Sequence, residues 1–165
     1  ELAAPITKLF RVSFRAGVVP SQWKLAHVVP VYKKPPRSRP SNYRPVSLLS
    51  ILSKVMECII NQQVTNFLER NDLLPDSQFG FRRGRGTADL LTALQSECVR
   101  VEAEGGCVQV VAIDIAGAFY HVFHVGLLNK AERVGIGGPL LSWLRDYLSN
   151  RCLKVLTGGR ASKKS

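Results

Sequence analysis

The sequence predicts a fold of the α/β or α+β class, because segments of helical and strand periodicity alternate along its 165 residues. The chain is long enough to bury a core, and 45% of its residues are hydrophobic, which argues against disorder. No apolar run approaches the roughly 18 residues of a membrane span. The four cysteines are scattered without a CxxC pair. We therefore expect reduced thiols in an intracellular protein, of the cytoplasm or nucleus, rather than disulfides or zinc.

Four segments favour β-strands. Residues 23–34 and 43–49 are rich in β-branched side chains and enclose a proline-rich turn or mobile loop, so they predict a basic hairpin. Pro30 fits an edge strand better than a central one, since proline lacks an N–H for the ladder. Residues 107–114 end in an apolar run without alternation, which predicts a strand buried on both faces. Another strand begins at 152–158.

Helical periodicity marks most of the remaining chain. Residues 2–15 place apolar side chains near one face, and 50–72 predicts a long amphipathic helix. A Gly- and Arg-rich loop follows at 73–86, and Thr87 is a plausible N-cap for a helix through about Glu104. Two further helices are expected at 125–135 and 139–150.

The positive charge is concentrated near the N-terminus. Net charge is +11, and no acidic residue lies between Glu1 and Glu57. Such a surface attracts polyanions and favours a nucleic-acid or nucleotide partner, although a solvated basic surface without a partner is the alternative. The basic residues of this span are Lys8, Arg11, Arg15, Lys24, Lys33, Lys34, Arg37, Arg39, Arg44 and Lys54.

Asp114 stands at the carboxyl end of the predicted buried strand, where open α/β sheets place ligands. A buried carboxylate must bind a cation, accept hydrogen bonds or take a proton. By position alone, it could equally cap a helix starting near Ala116. The small residues at 115–119 could let backbone amides cradle a phosphate or simply form a tight turn, and Phe119 could face a sugar or lie in the core.

Two basic segments are candidate anion sites. Lys33, Lys34 and Arg44 could converge on a triphosphate, or belong to a flexible solvated loop. The stretch "QFGFRRGRGT" at 78–87 combines glycine, two phenylalanines and three arginines, which suits a single strand through stacking and phosphate contacts. A basic turn before a helix is the alternative for this stretch.

The order of these segments resembles the reverse transcriptases of non-LTR retrotransposons, the LINE-like elements. The matching stretches are "LAAPITKLF", "PSQWKLAHVVPVYKK", "SNYRPVSLLSILSKVMECII", "LLPDSQFGFRRGRGTADLL" and "VVAIDIAGAFYHVFHVGLLNKAERVGI". The resemblance implies a right-hand polymerase fold, incomplete here, with fingers over 1–106 and the first part of the palm over 107–165. It also implies RNA template, DNA primer and deoxynucleoside triphosphates as partners, with no membrane.

The same resemblance implies roles for individual residues. Asp114 matches the first catalytic aspartate, a ligand to both magnesium ions, and Ile115 matches the residue whose carbonyl oxygen also binds metal. Phe119 matches the bulky gate that excludes a ribose 2′-hydroxyl. The nucleotide-binding residues would be Lys33, Lys34, Arg44, Ile115 and Phe119, and the template-binding residues Gln78, Arg82, Arg83 and Arg85. The chemistry would be two-metal phosphoryl transfer.

Two departures from the family pattern limit this expectation. Tyr120 replaces an aspartate that is not the principal metal ligand. The chain also ends before the "PQG" segment and the paired-aspartate hairpin, and Glu132 and Asp146 are the only acids after Asp114. We therefore expect a chain that is inactive alone and self-associates through the open sheet edge at 107–114. The alternative is a domesticated, non-catalytic remnant that binds nucleic acid or protein.

Overall fold

A computed structural model of the protein describes residues 1–163. Two compact units are present in it. The first joins residues 1–60 with the chain from Phe123 onward, and the second comprises residues 61–122. The helices are α1 (Ala3–Ala16), α2 (Ile51–Arg70), α3 (Thr87–Ala103), α4 (His124–Arg133) and α5 (Gly138–Leu148). Each lies within a few residues of its prediction. None of the helices in the described chain has the length and apolarity needed to cross a membrane.

The first unit contains a four-stranded sheet in the order β2-β1-β3-β4. Its strands are β1 (Leu25–Tyr32), β2 (Tyr43–Leu48), β3 (Cys152–Thr157) and β4 (Arg160–Ala161). β1 pairs antiparallel with β2 and parallel with β3. The mixed architecture confirms the predicted fold class and the basic hairpin, while the short strand β4 was not predicted.

The edge position predicted for the strand around Pro30 is wrong for the strand as a whole, since β1 is central. Its pairing with β3 covers only Leu25 to Val28, however, so Pro30 has a neighbour on one side alone. On that side it lies opposite Pro45. The Lys33 N–H donates to the Asn42 carbonyl at 2.9 Å, and alternation from this pair places Pro30 and Pro45 at a position where antiparallel strands exchange no hydrogen bonds. Neither proline therefore costs the ladder a bond.

The core of the first unit forms around α1 and α5. Trp143 is 2% exposed, stacks on Tyr147 and donates its indole N–H to the Ser13 hydroxyl at 3.1 Å. Ser13 in turn donates to the Val18 carbonyl at 2.6 Å, just beyond the end of α1. Each of these buried polar groups thus has a partner, and the two helices are fixed to each other through the Trp143 ring.

A partly buried ion pair joins α5 to the segment before β1. The Lys24 ammonium lies 2.8 Å from Asp146 Oδ1, and the Val19 N–H donates to Asp146 Oδ2 at 2.6 Å. Burial alone would raise the pKa of Asp146, but these hydrogen bonds and the Lys24 charge outweigh it and hold the pKa below the ordinary 3.8. The carboxylate is therefore charged in the folded chain at neutral pH.

The second unit has no comparable core, and no residue between 61 and 122 is buried. It contains the last turns of α2, a loop over 71–86, α3, an irregular stretch from 106 to 117 and a 3₁₀ turn at Ala118–His121. α3 leaves Leu90, Leu91 and Leu94 between 40 and 58% exposed. The apolar side chains of this unit thus find little cover among the described residues.

The buried strand predicted for residues 107–114 is wrong. The segment forms no strand, and Val111 and Ile113 are 72% and 88% exposed. A strand needs a neighbour to satisfy its backbone N–H and C=O groups, and no described residue pairs with this segment. The sheet edge expected there is likewise absent. The helix expected near Ala116 is replaced by the 3₁₀ turn, entered through Gly117 at φ +63°.

Candidate nucleic-acid and nucleotide site

The loop of the basic hairpin is held by its own side chains. Asn42, which is 4% exposed, donates its amide to the Pro36 carbonyl at 2.7 Å, and the Tyr43 hydroxyl donates to the Arg37 carbonyl at 3.0 Å. The Arg37 guanidinium lies 5.1 Å from the centre of the Tyr32 ring. These contacts organise the proline-rich loop, which the sequence predicts to be a turn or mobile.

The cations proposed for nucleotide binding lie at the end of this hairpin. Lys33 continues the ladder one position past the last strand pair, and Arg44 lies opposite Val31 in β2. Because side chains alternate between faces, Lys33 and Arg44 share one face of the hairpin. Both residues and Lys34 are exposed, and none forms an ion pair within residues 1–163. The hairpin therefore presents uncompensated positive charge on a rigid support.

Two arginines of the Gly- and Arg-rich loop are engaged by acids of their own unit. Arg82 donates to both carboxylate oxygens of Glu69, at 2.9 and 2.5 Å, and its side chain is only 9% exposed. Arg85 donates to the Asp76 carboxylate at 2.8 Å. The hydrogen bond from Arg82 holds the pKa of Glu69 below its ordinary value, and the bond from Arg85 does the same for Asp76. Neither acid is predictable from the sequence, because their spacing from the arginines forms no distinctive pattern.

The exposed part of this loop is its tip, at Phe81 and Arg83. Phe81 is 94% exposed and adopts φ +60°, a left-handed conformation that a bulky side chain rarely takes. Arg83 is exposed and has no ion-pair partner in the described chain. Gln78 donates to the Gly80 carbonyl at 3.2 Å, and Phe79 lies 5.8 Å from the Arg85 guanidinium. The loop thus holds one aromatic ring and one cation outward.

The segment that carries Asp114 is exposed along its length. Asp114, Ile115 and Phe119 are all exposed, with Phe119 at 83%. Among the described residues, the Asp114 carboxylate accepts no side-chain or backbone hydrogen bond, so it caps no helix. No group of three or more potential metal-ligating side chains is present in the described part of the chain. The segment therefore offers one carboxylate and nearby backbone carbonyls.

Comparison with known proteins shows which family this sequence matches and which proteins it resembles. The family described as "Reverse transcriptase (RNA-dependent DNA polymerase)" matches residues 31–165. The chain is 33% identical, over 89% of its length, to the "Probable RNA-directed DNA polymerase from transposon BS" of Drosophila melanogaster. It is 32% identical over 91% to the corresponding X-element protein of the same organism, and 31% identical over 93% to its "RNA-directed DNA polymerase from mobile element jockey". It spans only 16, 16 and 17% of these relatives.

Proposed function

Because the chain belongs to the reverse transcriptase (RNA-dependent DNA polymerase) family, in its non-LTR, LINE-like branch, we propose that it is a functional part of an RNA-directed DNA polymerase. Residues 1–106 would supply the fingers and residues 107–165 the first part of the palm. The observation that carries this proposal is the family match over residues 31–165. The complete enzyme would copy an RNA template from a DNA primer.

The hairpin cations would hold the triphosphate of the incoming nucleotide. Lys33 and Arg44 share a face, and the buried Asn42 amide fixes the loop between them. A guanidinium gives bidentate contacts to phosphate, while ammonium groups such as those of Lys33 and Lys34 act as point charges. A loop that is already ordered loses less conformational entropy on binding, which supports this role for the hairpin.

The loop tip would contact the single-stranded template. Phe81 offers a ring on which a base can stack, and Arg83 offers a charge for the adjacent phosphate. Gln78, Arg82 and Arg85 would position the loop against the strand, with the two arginines acting mainly through Glu69 and Asp76.

The template proposal is tested by single-stranded RNA binding at several salt concentrations. Phe81→Gly removes the ring while relieving the left-handed backbone, so stacking loss of about 1–3 kcal/mol should appear without loss of fold. Arg83→Gln should lower the magnitude of the salt slope by roughly 0.7. Arg70→Gln, at an exposed position in the last turn of α2, is the matched charge control. Unchanged affinity in both loop variants would remove the tip from the template site.

Asp114 would contribute to the metal centre of the complete enzyme. Enzymes of this family generally use Mg²⁺, which prefers oxygen ligands such as the Asp114 carboxylate and the Ile115 carbonyl. These donors are of the right type, but one carboxylate cannot hold two divalent ions, so the described residues do not complete the site. Phe119 would act beside the sugar by steric exclusion, and Phe119→Ala should admit ribonucleotides where Phe119→Tyr should not.

Primer extension tests the function of the chain. We expect none from residues 1–165 alone, and magnesium-dependent extension once the chain is joined to the remaining palm of a relative. Asp114→Asn in the joined protein should abolish extension, since the amide keeps the shape but loses the charge. Asp72→Asn is the matched control, because Asp72 is exposed and its φ of +51° suits asparagine.

Each outcome of this assay decides one part of the proposal. Extension by the isolated chain would contradict its role as a partial palm, and an active Asp114→Asn variant would contradict the role of Asp114. A joined protein that binds RNA but never extends a primer would favour the non-catalytic remnant.

The cysteines Cys58, Cys98, Cys107 and Cys152 are free thiols, which supports a reducing compartment, the cytoplasm or nucleus.

A further inference from the structure

The outer face of α1 carries a compact stripe of positive charge. At about 100° per residue, Lys8, Arg11 and Arg15 fall within an arc of about 60°, and at 1.5 Å per residue they span roughly 10 Å of the helix. All three are exposed, and none forms an ion pair within the described chain. No acid in residues 2–56 offsets them. All of α1, moreover, lies before the matched family region, which begins at residue 31.

The inner face of α1 is already occupied by the core. Phe10 packs edge-on against Trp23 with ring centres 5.9 Å apart, and the Ser13 hydroxyl accepts the Trp143 indole N–H. An amphipathic helix that lies in a membrane surface must insert its apolar face, and here the side of α1 that carries Phe10 and Ser13 packs within the protein. The charged stripe is therefore displayed by a fixed helix, which favours a polyanion over a lipid bilayer.

The composition of the stripe indicates the form of that polyanion. Both aromatic residues of α1, Phe10 and Phe14, are half-buried away from it, and its neighbours Ala4 and Thr7 are small. Single-strand binding relies on aromatic rings on which successive bases stack, and the stripe has none. A duplex hides its bases and presents phosphates to cations without stacking. The contrast is with the loop tip, where Phe81 and Arg83 suit a single strand.

We propose that Lys8, Arg11 and Arg15 form a second nucleic-acid site that binds the phosphate backbone of a double-stranded region, such as an RNA–DNA hybrid. This inference rests on the proposed function, because it assigns a distinct part of the chain to the duplex rather than the single strand. Binding there is independent of base sequence and falls steeply with salt.

The test compares two triple variants of the whole chain by fluorescence anisotropy. Lys8→Gln, Arg11→Gln, Arg15→Gln removes the stripe, and Arg70→Gln, Lys130→Gln, Arg160→Gln removes the same charge from three exposed, dispersed positions on α2, α4 and β4. Both change the net charge from +11 to +8. The probes are an RNA–DNA hybrid of about 20 base pairs and single-stranded RNA of equal length, in random sequence.

The stripe variant should lose roughly tenfold or more in hybrid affinity, and its salt slope should fall by about two to three. The dispersed control should lose clearly less, and single-stranded RNA should be affected less than the hybrid. Equal losses in the two variants, or unchanged hybrid binding, would overturn the stripe while leaving the proposed function intact. Wild-type binding to neither probe would instead contradict nucleic-acid binding by the whole chain. Stripe-dependent binding to anionic phosphatidylserine vesicles, without hybrid binding, would assign the face to membranes and overturn the proposal.

Discussion

The two units of this chain have similar fractions of apolar residues but use them in opposite ways. The first buries Trp23, Met56, Ile60 and Trp143 to between 2 and 5% exposure. The second, residues 61–122, buries nothing and leaves Ile113 and Phe119 more than four-fifths exposed, at 88% and 83%. Residues proposed for catalysis and template contact lie in the second unit. The residues proposed for catalysis and template contact are thus among those that the described chain buries least.

The largest effect in this comparison is expected from Trp143→Ala. The ring is 2% exposed, stacks on Tyr147 and donates to the Ser13 hydroxyl, so its loss leaves a cavity and removes that hydrogen bond, while Ser13 keeps its own bond to the Val18 carbonyl. We expect a cost of about 3–5 kcal/mol in the free energy of unfolding, measured by urea denaturation. Phe119→Ala, a similar truncation in the second unit, should cost far less. Similar costs for both variants would erase the distinction between the units.

An intermediate effect is expected from Asp146→Asn, which weakens the contacts to Lys24 and the Val19 N–H. The cost at neutral pH should be about 1–3 kcal/mol. Because the pKa of Asp146 is held below its ordinary 3.8, this stabilisation is present above that pH and is lost as pH falls through the folded pKa. Wild type and variant should therefore converge in stability as the pH is lowered through and below that folded pKa, as followed by urea denaturation.

The matched control for that carboxylate is Asp76→Asn in the second unit. Asp76 also pairs with an arginine, Arg85, and its pKa is also lowered, but its side chain is 97% exposed. Solvent screens such a pair, so no measurable change in global stability is expected at any pH. A pH-dependent loss equal to that of Asp146→Asn would show that this loop is part of the cooperative core.

The smallest change in stability is expected from Val111→Thr with Ile113→Thr. Both side chains are exposed, so the free energy of unfolding should stay within about 0.5 kcal/mol of wild type. Val28→Thr in the buried part of β1 is the matched control and should cost about 1–3 kcal/mol, because its hydroxyl would be desolvated. We expect self-association, measured by sedimentation velocity, to decrease in the double variant alone. If the double variant self-associates as strongly as the wild type, the contact between copies does not depend on Val111 and Ile113.

Local patterns in the sequence predicted the helices well, because each has its own periodicity and end signals. The boundaries of α2 and α3 differ from prediction by about one or two residues, which is ordinary fraying. The basic hairpin was also predictable, since β-branched runs flank a proline-rich turn. What failed was the strand at 107–114, because a strand depends on a partner, and partner choice is absent from the segment itself.

The candidate site was predictable in residue type but not in arrangement. Arginines at 82, 83 and 85 looked equivalent in the sequence, yet two are bound to Glu69 and Asp76 and only Arg83 is free among the described residues. Carboxylates 9 and 13 residues away leave no local signature. The left-handed backbone of Phe81 was equally hidden, since such a conformation is imposed by the surrounding loop rather than by the residue.

The pairing of Pro30 with Pro45 also fixes the register in which β1 and β2 pair during folding. If β2 slid by one residue in either direction, one of the two prolines would move into a pair that must exchange hydrogen bonds. In each shifted register, one backbone N–H that the ladder requires would be missing, whereas none is missing in the observed register. Such a slip would also turn Arg44 to the opposite face from Lys33. The two prolines, which have no N–H, thus favour a single register, and in that register Lys33 and Arg44 lie on the same face of the strand pair.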